Sequence, residues 1–290
     1  MHGSSMRRIA MNRRQVILVA LVAILVAGFA LTVGGCAATQ ELEQLSAEQR
    51  FTRAMDLYRD KSYLDAYEEF RIVTLQFQGS AFADSAQFQM GECRFMREEY
   101  LLAAYEYDVL TRTAPTSKLV PEARYKRALS YYRQSPEYYH DQTSTRQAID
   151  EFQSFIEYHP TDSLVTDAEA KISELNTKLA RKAFENGITY MHMEYYKSAA
   201  TEFDFVLEKF HDSPYAEQAQ LRKAEAMLKR KKLPEAKTEI EKFFVKYPNS
   251  ALKQEAESLQ KDILSRVAEK PATPSKPPIP QGRTDASNKE

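Results

Sequence analysis

Two cysteines and five histidines are the residues of this chain with the widest chemical reach. Their spacing decides what they could do. Cys36 closes the run Leu31-Thr32-Val33-Gly34-Gly35-Cys36, so small residues stand directly before its thiol. The chemistry this position points to is processing, because small residues at the end of an apolar run mark an export cleavage site. Cys93 follows Gly91-Glu92 at an expected helix–helix contact and reads as a buried structural thiol, not a nucleophile. His2, His140, His159, His192 and His211 form neither an HExxH pair nor a Cys/His cluster, so no metal site is expected. A phosphate loop, a dinucleotide fingerprint and a G-x-S-x-G elbow are also missing, so the expectation is no enzyme and no cofactor. The many Asp and Glu residues read as solvated helix faces.

What remains is aromatic chemistry. Three residues before and four after a recurring small residue stand the pairs Phe51/Tyr58, Phe88/Phe95 and Tyr125/Tyr132. Later copies are Phe184/Met191 and Leu221/Leu228. Residues seven apart share one helix face. Rings offer large contact area with little rotamer entropy to lose, which suits a peptide-binding groove. The alternative is that these rings are hairpin core, because a helical aromatic stripe is usually packing. Both remain open at this point.

The segment before Cys36 begins with Arg7, Arg8, Arg13 and Arg14 and runs without a charge from Val16 to Val33. With Cys36 at its end it resembles a bacterial lipoprotein signal. That resemblance implies cleavage after Gly35 and acyl chains on Cys36. Ala37, where a retention aspartate could stand, implies the outer membrane. The alternative is an uncleaved anchor, since the run is close to the ~20 residues a spanning helix needs. In both cases the rest of the chain lies outside the cytoplasm, tied to a membrane. The part from Cys36 on holds 36 Lys+Arg against 41 Asp+Glu, a balance near −5, without a basic stripe. Nucleic acid is therefore not an expected partner. From Cys36 on there are only four glycines, which speaks against a turn-rich β fold.

The elements that must position these residues repeat. An alanine is followed four residues later by an apolar residue: Ala66/Phe70, Ala103/Tyr107, Ala148/Phe152, Ala199/Phe203 and Ala236/Ile240. A small residue stands twelve before the alanine in four copies: Ala54, Gly91, Gly187 and Ala224. In the third copy Ala128 stands twenty before Ala148. Each copy closes on an aromatic or proline turn containing Ser80, Ser117, Ser163, Ser213 or Ser250, and the serine is expected to cap the next helix. Small residues are needed where two helices touch, and an i, i+4 pair lies on one face.

This pattern resembles the tetratricopeptide repeat and implies an all-α solenoid of five helical hairpins. The expected organisation is a signal over 1–35, a tether over 36–45, repeats over 46–268 and a Pro-rich disordered tail over 269–290. Repeat three is stretched by a segment containing Pro136 and Tyr138-Tyr139-His140-Asp141-Gln142-Thr143. Repeat four has an insert in which Ala168, Ile172, Leu175, Leu179 and Ala183 keep helical spacing, so its first helix is expected to be long.

A lipoprotein signal followed by five such repeats, with Asp141-Gln142-Thr143-Ser144-Thr145-Arg146-Gln147-Ala148 leading into Tyr158-His159-Pro160, resembles the BamD family. The resemblance implies a lipid-anchored adaptor on the periplasmic face of the outer membrane. Its implied partners are the periplasmic domains of a barrel-forming assembly subunit, unfolded outer-membrane proteins, and the membrane through lipid on Cys36. The alternative is another periplasmic tetratricopeptide lipoprotein that scaffolds cell-envelope or pilus machinery.

Overall fold

The computed structural model describes residues 45–269. The expected signal, Cys36, the tether up to residue 44 and the Pro-rich segment from residue 270 lie outside the described residues. The described residues form eleven α-helices and no strand. They are α1 (Ala47–Arg59), α2 (Tyr63–Gln76), α3 (Ala83–Met96), α4 (Tyr100–Thr113), α5 (Val120–Gln134), α6 (Thr143–Tyr158), α7 (Val165–His192), α8 (Tyr196–Lys209), α9 (Ala216–Lys229), α10 (Leu233–Lys246) and α11 (Lys253–Glu269). The fold is all-α and built from tetratricopeptide-type hairpins. The chain divides into two compact units, one ending at Ser130 and one starting at Tyr131. In the first, α1 to α4 pack each on the next. In the second, α6 to α11 do the same. Among the described residues no helix is long and apolar enough to cross a membrane.

The anchor residues make the core. Ala66, Ala103, Ala148, Ala199 and Ala236 are all fully buried, as are Phe70, Tyr107, Phe152, Phe203 and Ile240. Burying one such side chain contributes about 1.5–3 kcal/mol. The small residues opposite are required by space. A Cβ on Gly91 would lie 2.5 Å from the Tyr107 ring, and one on Gly187 would collide with the Phe203 ring. Cys93 is fully buried in the same interior as Ala54, Ala66 and Phe70. Burial pushes its thiol up to about 12, so it stays protonated and inert at neutral pH.

Four hairpins turn by the same device. Lys61, Glu98, Glu194 and Lys231 hold φ near +62° or +61°. Lys61 N–H bonds the Tyr58 carbonyl at 3.0 Å and Ser62 N–H the Leu57 carbonyl at 2.9 Å. The same two bonds recur after α3, α7 and α9. This is the Schellman closure, which satisfies the last carbonyls of one helix and fixes the direction of the next.

Between repeats the serines behave differently from expectation. Ser250 Oγ accepts from Leu252 N–H at 2.8 Å, and Asp162 fills the same place in repeat three, accepting from Leu164 N–H at 2.9 Å. The turn sets this residue two places ahead of the N-cap, so its side chain meets the N-cap's own N–H. The N-caps themselves, such as Phe82, Leu164 and Tyr215, make no side-chain cap bond. The helix α1 carries a reciprocal capping box, between Ser46 and Gln49.

Both stretched repeats take defined shapes. The insert of repeat four lies in α7, which is 28 residues long, with Ala168, Leu175 and Ala180 fully buried. The segment before α6 is organised by Gln142, which is 1% exposed. Its Nε2 donates to the carbonyls of Glu137 and His140 at 2.8 and 3.1 Å. Its Oε1 accepts from Thr145 Oγ1 at 2.7 Å.

Candidate binding surfaces

In the first unit, the seven-apart positions sit on α1, α3 and α5. Phe51 packs edge-on to Phe70 at 5.4 Å and beside Phe82 at 5.3 Å. Phe88 and Tyr125 are only 6% and 7% exposed and belong to the interior. Tyr58 and Phe95 are half-buried at the helix ends, where each ring meets the first tyrosine of the next helix, Tyr63 and Tyr100, at 5.3 Å. Burial, with Glu92 nearby, pushes the Tyr58 phenol up to about 12. Lys126 Nζ stands 5.6 Å from the Phe95 ring centre and pairs with Glu92 at 2.8 Å. The Tyr107 hydroxyl donates to Glu92 at 2.6 Å. Tyr58 and Phe95 are thus the members of the stripe in this unit that combine an open edge with polar neighbours.

Tyr132 lies in the second unit. Its ring meets Phe152 at 6.4 Å and its hydroxyl donates to Glu174 Oε2 at 2.7 Å. Burial and that carboxylate push the phenol up to about 12. Lys171 Nζ stands 5.1 Å from the ring centre. The described residues contain no group of three or more His, Cys, Asp and Glu able to hold a metal ion.

A second surface escaped the aromatic count. Three residues after every anchor alanine stands a glutamate: Glu69, Glu106, Glu151, Glu202 and Glu239. Four residues before the small residue stand Arg50, Gln87, Arg124, Ala183 and Gln220. In repeats one, two and five the structure pairs these places across the hairpin. Arg50 donates to Glu69 at 3.1 Å. Gln87 Nε2 donates to the carbonyl and carboxylate of Glu106 at 3.0 and 2.8 Å. Gln220 makes the same two bonds to Glu239 at the same two distances. Aligning the copies in sequence would have exposed the odd member: repeat four has Ala183.

Over Ala183 and Glu202 lies an open groove of about 430 Å³. Its apolar lining is Leu179, Ala183, Phe205 and Phe210, and its rim carries Arg146, Lys182 and Lys209. Phe205 and Phe210 meet edge-on at 5.5 Å, and Phe205 is 45% exposed. Lys182 Nζ donates to the His140 carbonyl at 2.5 Å, which ties the preceding loop to α7. Burial raises the Glu202 carboxyl above the usual carboxylate range, against a hydrogen bond with Asn186. Among the described residues no salt bridge reaches Glu202, whereas Glu239 is held below its ordinary value. Burial alone would raise Glu239, but bonds from Lys242, Gln220 and Lys223 outweigh it.

With this geometry in place, comparison with known proteins gives three findings. A family model described as YfiO, outer membrane lipoprotein, matches residues 43–212 and 181–277. Two curated relatives each carry the name outer membrane protein assembly factor BamD. The one from Rickettsia prowazekii is 26% identical over 232 residues, covering 79% of this chain and 92% of that protein. The one from Caulobacter vibrioides is 26% identical over 215 residues, covering 72% and 70%. Among solved structures, the TPR2AB domain of yeast Sti1 in its pHSP90 complex covers 77% of this chain and 84% of that chain, at 15% identity and a TM-score of 0.39.

Proposed function

We propose, from the premise that this chain belongs to the YfiO family of outer membrane lipoproteins, that it serves outer-membrane protein assembly as a lipid-anchored adaptor. One observation carries the proposal: the family match spans the repeat region from residue 43 to 277, and the relatives aligned over most of the chain are named as assembly factors. Its work is binding, not catalysis. Stacked hairpins hold side chains on rigid faces, and each repeat leans only on its neighbours, so separate repeats serve separate partners. In the proposal, Cys36 carries the lipid at the periplasmic face of the outer membrane. Tyr58 and Phe95 contact extended segments of unfolded outer-membrane proteins. Repeats four and five hold the periplasmic domains of the barrel-forming subunit. The half-buried tyrosine and phenylalanine edges support the peptide role, since contact rings set in polar surroundings are favoured at interfaces.

The test uses the full chain and purified periplasmic domains of a barrel-forming subunit. Co-sedimentation on vesicles is expected for the wild type. Tyr58→Ala and Phe95→Ala should weaken an aromatic-ended outer-membrane-protein peptide by about 1–4 kcal/mol, the range for interface hot spots, and spare the subunit. Loss of neither peptide nor subunit binding in these folded variants would refute the peptide site. Absence of subunit binding by the wild type would refute the adaptor itself.

A further inference from the structure

Repeat four keeps the glutamate of the recurring pair but has no donor at the register position of Gln87 and Gln220, and Asn186 is the side chain that bonds Glu202 instead. Ala183 stops at Cβ, so the space that Gln87 and Gln220 fill with a carboxamide in their own hairpins is open over Glu202. A carboxylate offers about four acceptor sites, so Glu202 keeps room for a further donor beside Asn186. The groove is roofless and apolar-walled, so a donor could enter from another molecule.

We propose that the groove over Ala183 and Glu202 docks a glutamine side chain of a partner protein, carried within an acidic stretch. The carboxamide would make with Glu202 the bonds that Gln220 makes with Glu239. Repeat one shows that arginine is the other donor this register accepts, through Arg50 and Glu69. The rim decides between them. A partner guanidinium would face Arg146, Lys182 and Lys209, whereas a carboxamide brings no charge. Those three cations favour carboxylates on either side of the glutamine. Leu179, Phe205 and Phe210 would take its methylene stem. The inference rests on the adaptor proposal only in naming a protein as the occupant.

Three fluorescein-labelled, C-terminally amidated tripeptides test it by anisotropy on the full chain: Asp-Gln-Asp, and the same peptide with norleucine or arginine at its centre. The glutamine probe should bind about tenfold tighter than the norleucine probe, as expected for a hydrogen bond to a charged group. Ala183→Gln should fill the groove from within, keep or raise the melting temperature, and weaken the glutamine probe about tenfold. Should that variant fail to fold, Glu202→Ala decides by the same loss. Equal binding of glutamine and norleucine, tighter binding of arginine, or full affinity in the substituted chain would each overturn the assignment. The subunit's periplasmic domains are titrated alongside. Subunit binding with a failed peptide arm leaves the adaptor and removes the groove; the reverse result leaves the groove and removes the adaptor.

Discussion

Lys61, Glu98, Glu194 and Lys231 sit in the left-handed region, where a Cβ crowds its own backbone. Nothing in a lysine or a glutamate announces such a position, so the residue types alone do not locate these turns. Glycine has no such penalty. Glu98→Gly and Lys231→Gly are therefore expected to stabilise by about 0.5–1 kcal/mol each, because relief of the strain exceeds the added freedom of the unfolded chain. Urea midpoints check this, and a lower midpoint in both would refute it. Glu202 offers a second test. Its folded carboxyl titrates above its unfolded value, so this group favours folding at low pH and the favour is lost as pH rises through the folded pKa. Glu202→Gln should then raise stability at pH 7, with the gain shrinking as pH falls through the raised folded value and gone below about 4.3, the unfolded value. A difference that does not change with pH would contradict the assignment of the shift to burial.

At the scale of the element, much was legible. The i, i+4 pairs such as Ala199/Phe203 identified the buried helix faces because one spacing satisfies both helical geometry and hairpin contact. The long first helix of repeat four was visible in Ala168 and Leu175 for the same reason. The aromatic stripe was less legible: Phe88 and Phe95 share a spacing, yet one is interior and the other half-open. Depth along a helix depends on what stacks beside it, which spacing does not encode. The groove at Ala183 was written in the sequence as a departure from a register, and it is visible only when the five copies are compared with each other. Gln142 is the buried polar centre of the loop before α6. Gln142→Ala would leave the Glu137 carbonyl without its side-chain donor, take one of two donors from the His140 carbonyl and remove the Gln142 acceptor from Thr145, at a cost of about 1–3 kcal/mol. Hydrogen exchange should quicken over residues 135–145 while α1 to α4 keep their protection. Unchanged exchange there would show that the contacts from α7, Lys178 to Ser135, Arg181 to Tyr138 and Lys182 to the His140 carbonyl, hold the loop without Gln142.

At the scale of the whole molecule, each unit carries its own core, and stability in such stacks is a sum of local interfaces. Surface positions are then free to serve partners, and the anchor in the proposal lies outside the repeats altogether, at Cys36. That separation makes the anchor testable without disturbing the fold. A single acyl chain holds a protein at a membrane only marginally, while two or more hold it stably. If Cys36 is cut free at its N-terminus and multiply acylated, Cys36→Ser should abolish radiolabelled palmitate incorporation and leave the signal uncleaved. The melting temperature of the repeat region should match that of the wild type within about 2 °C, since no residue of residues 45–269 is changed. The other thiol cannot substitute: Cys93 is fully buried and pushed up to about 12, so it offers no thiolate to an acyl donor. Cleavage at Gly35 in the serine variant, or an unacylated Cys36 by intact mass in protein from native membranes, would place the attachment elsewhere. Retention of the variant on washed membranes would not by itself decide the matter, because the uncleaved apolar run from Val16 to Val33 is long enough to hold on. Mass and label together separate a lipid anchor from a spanning one.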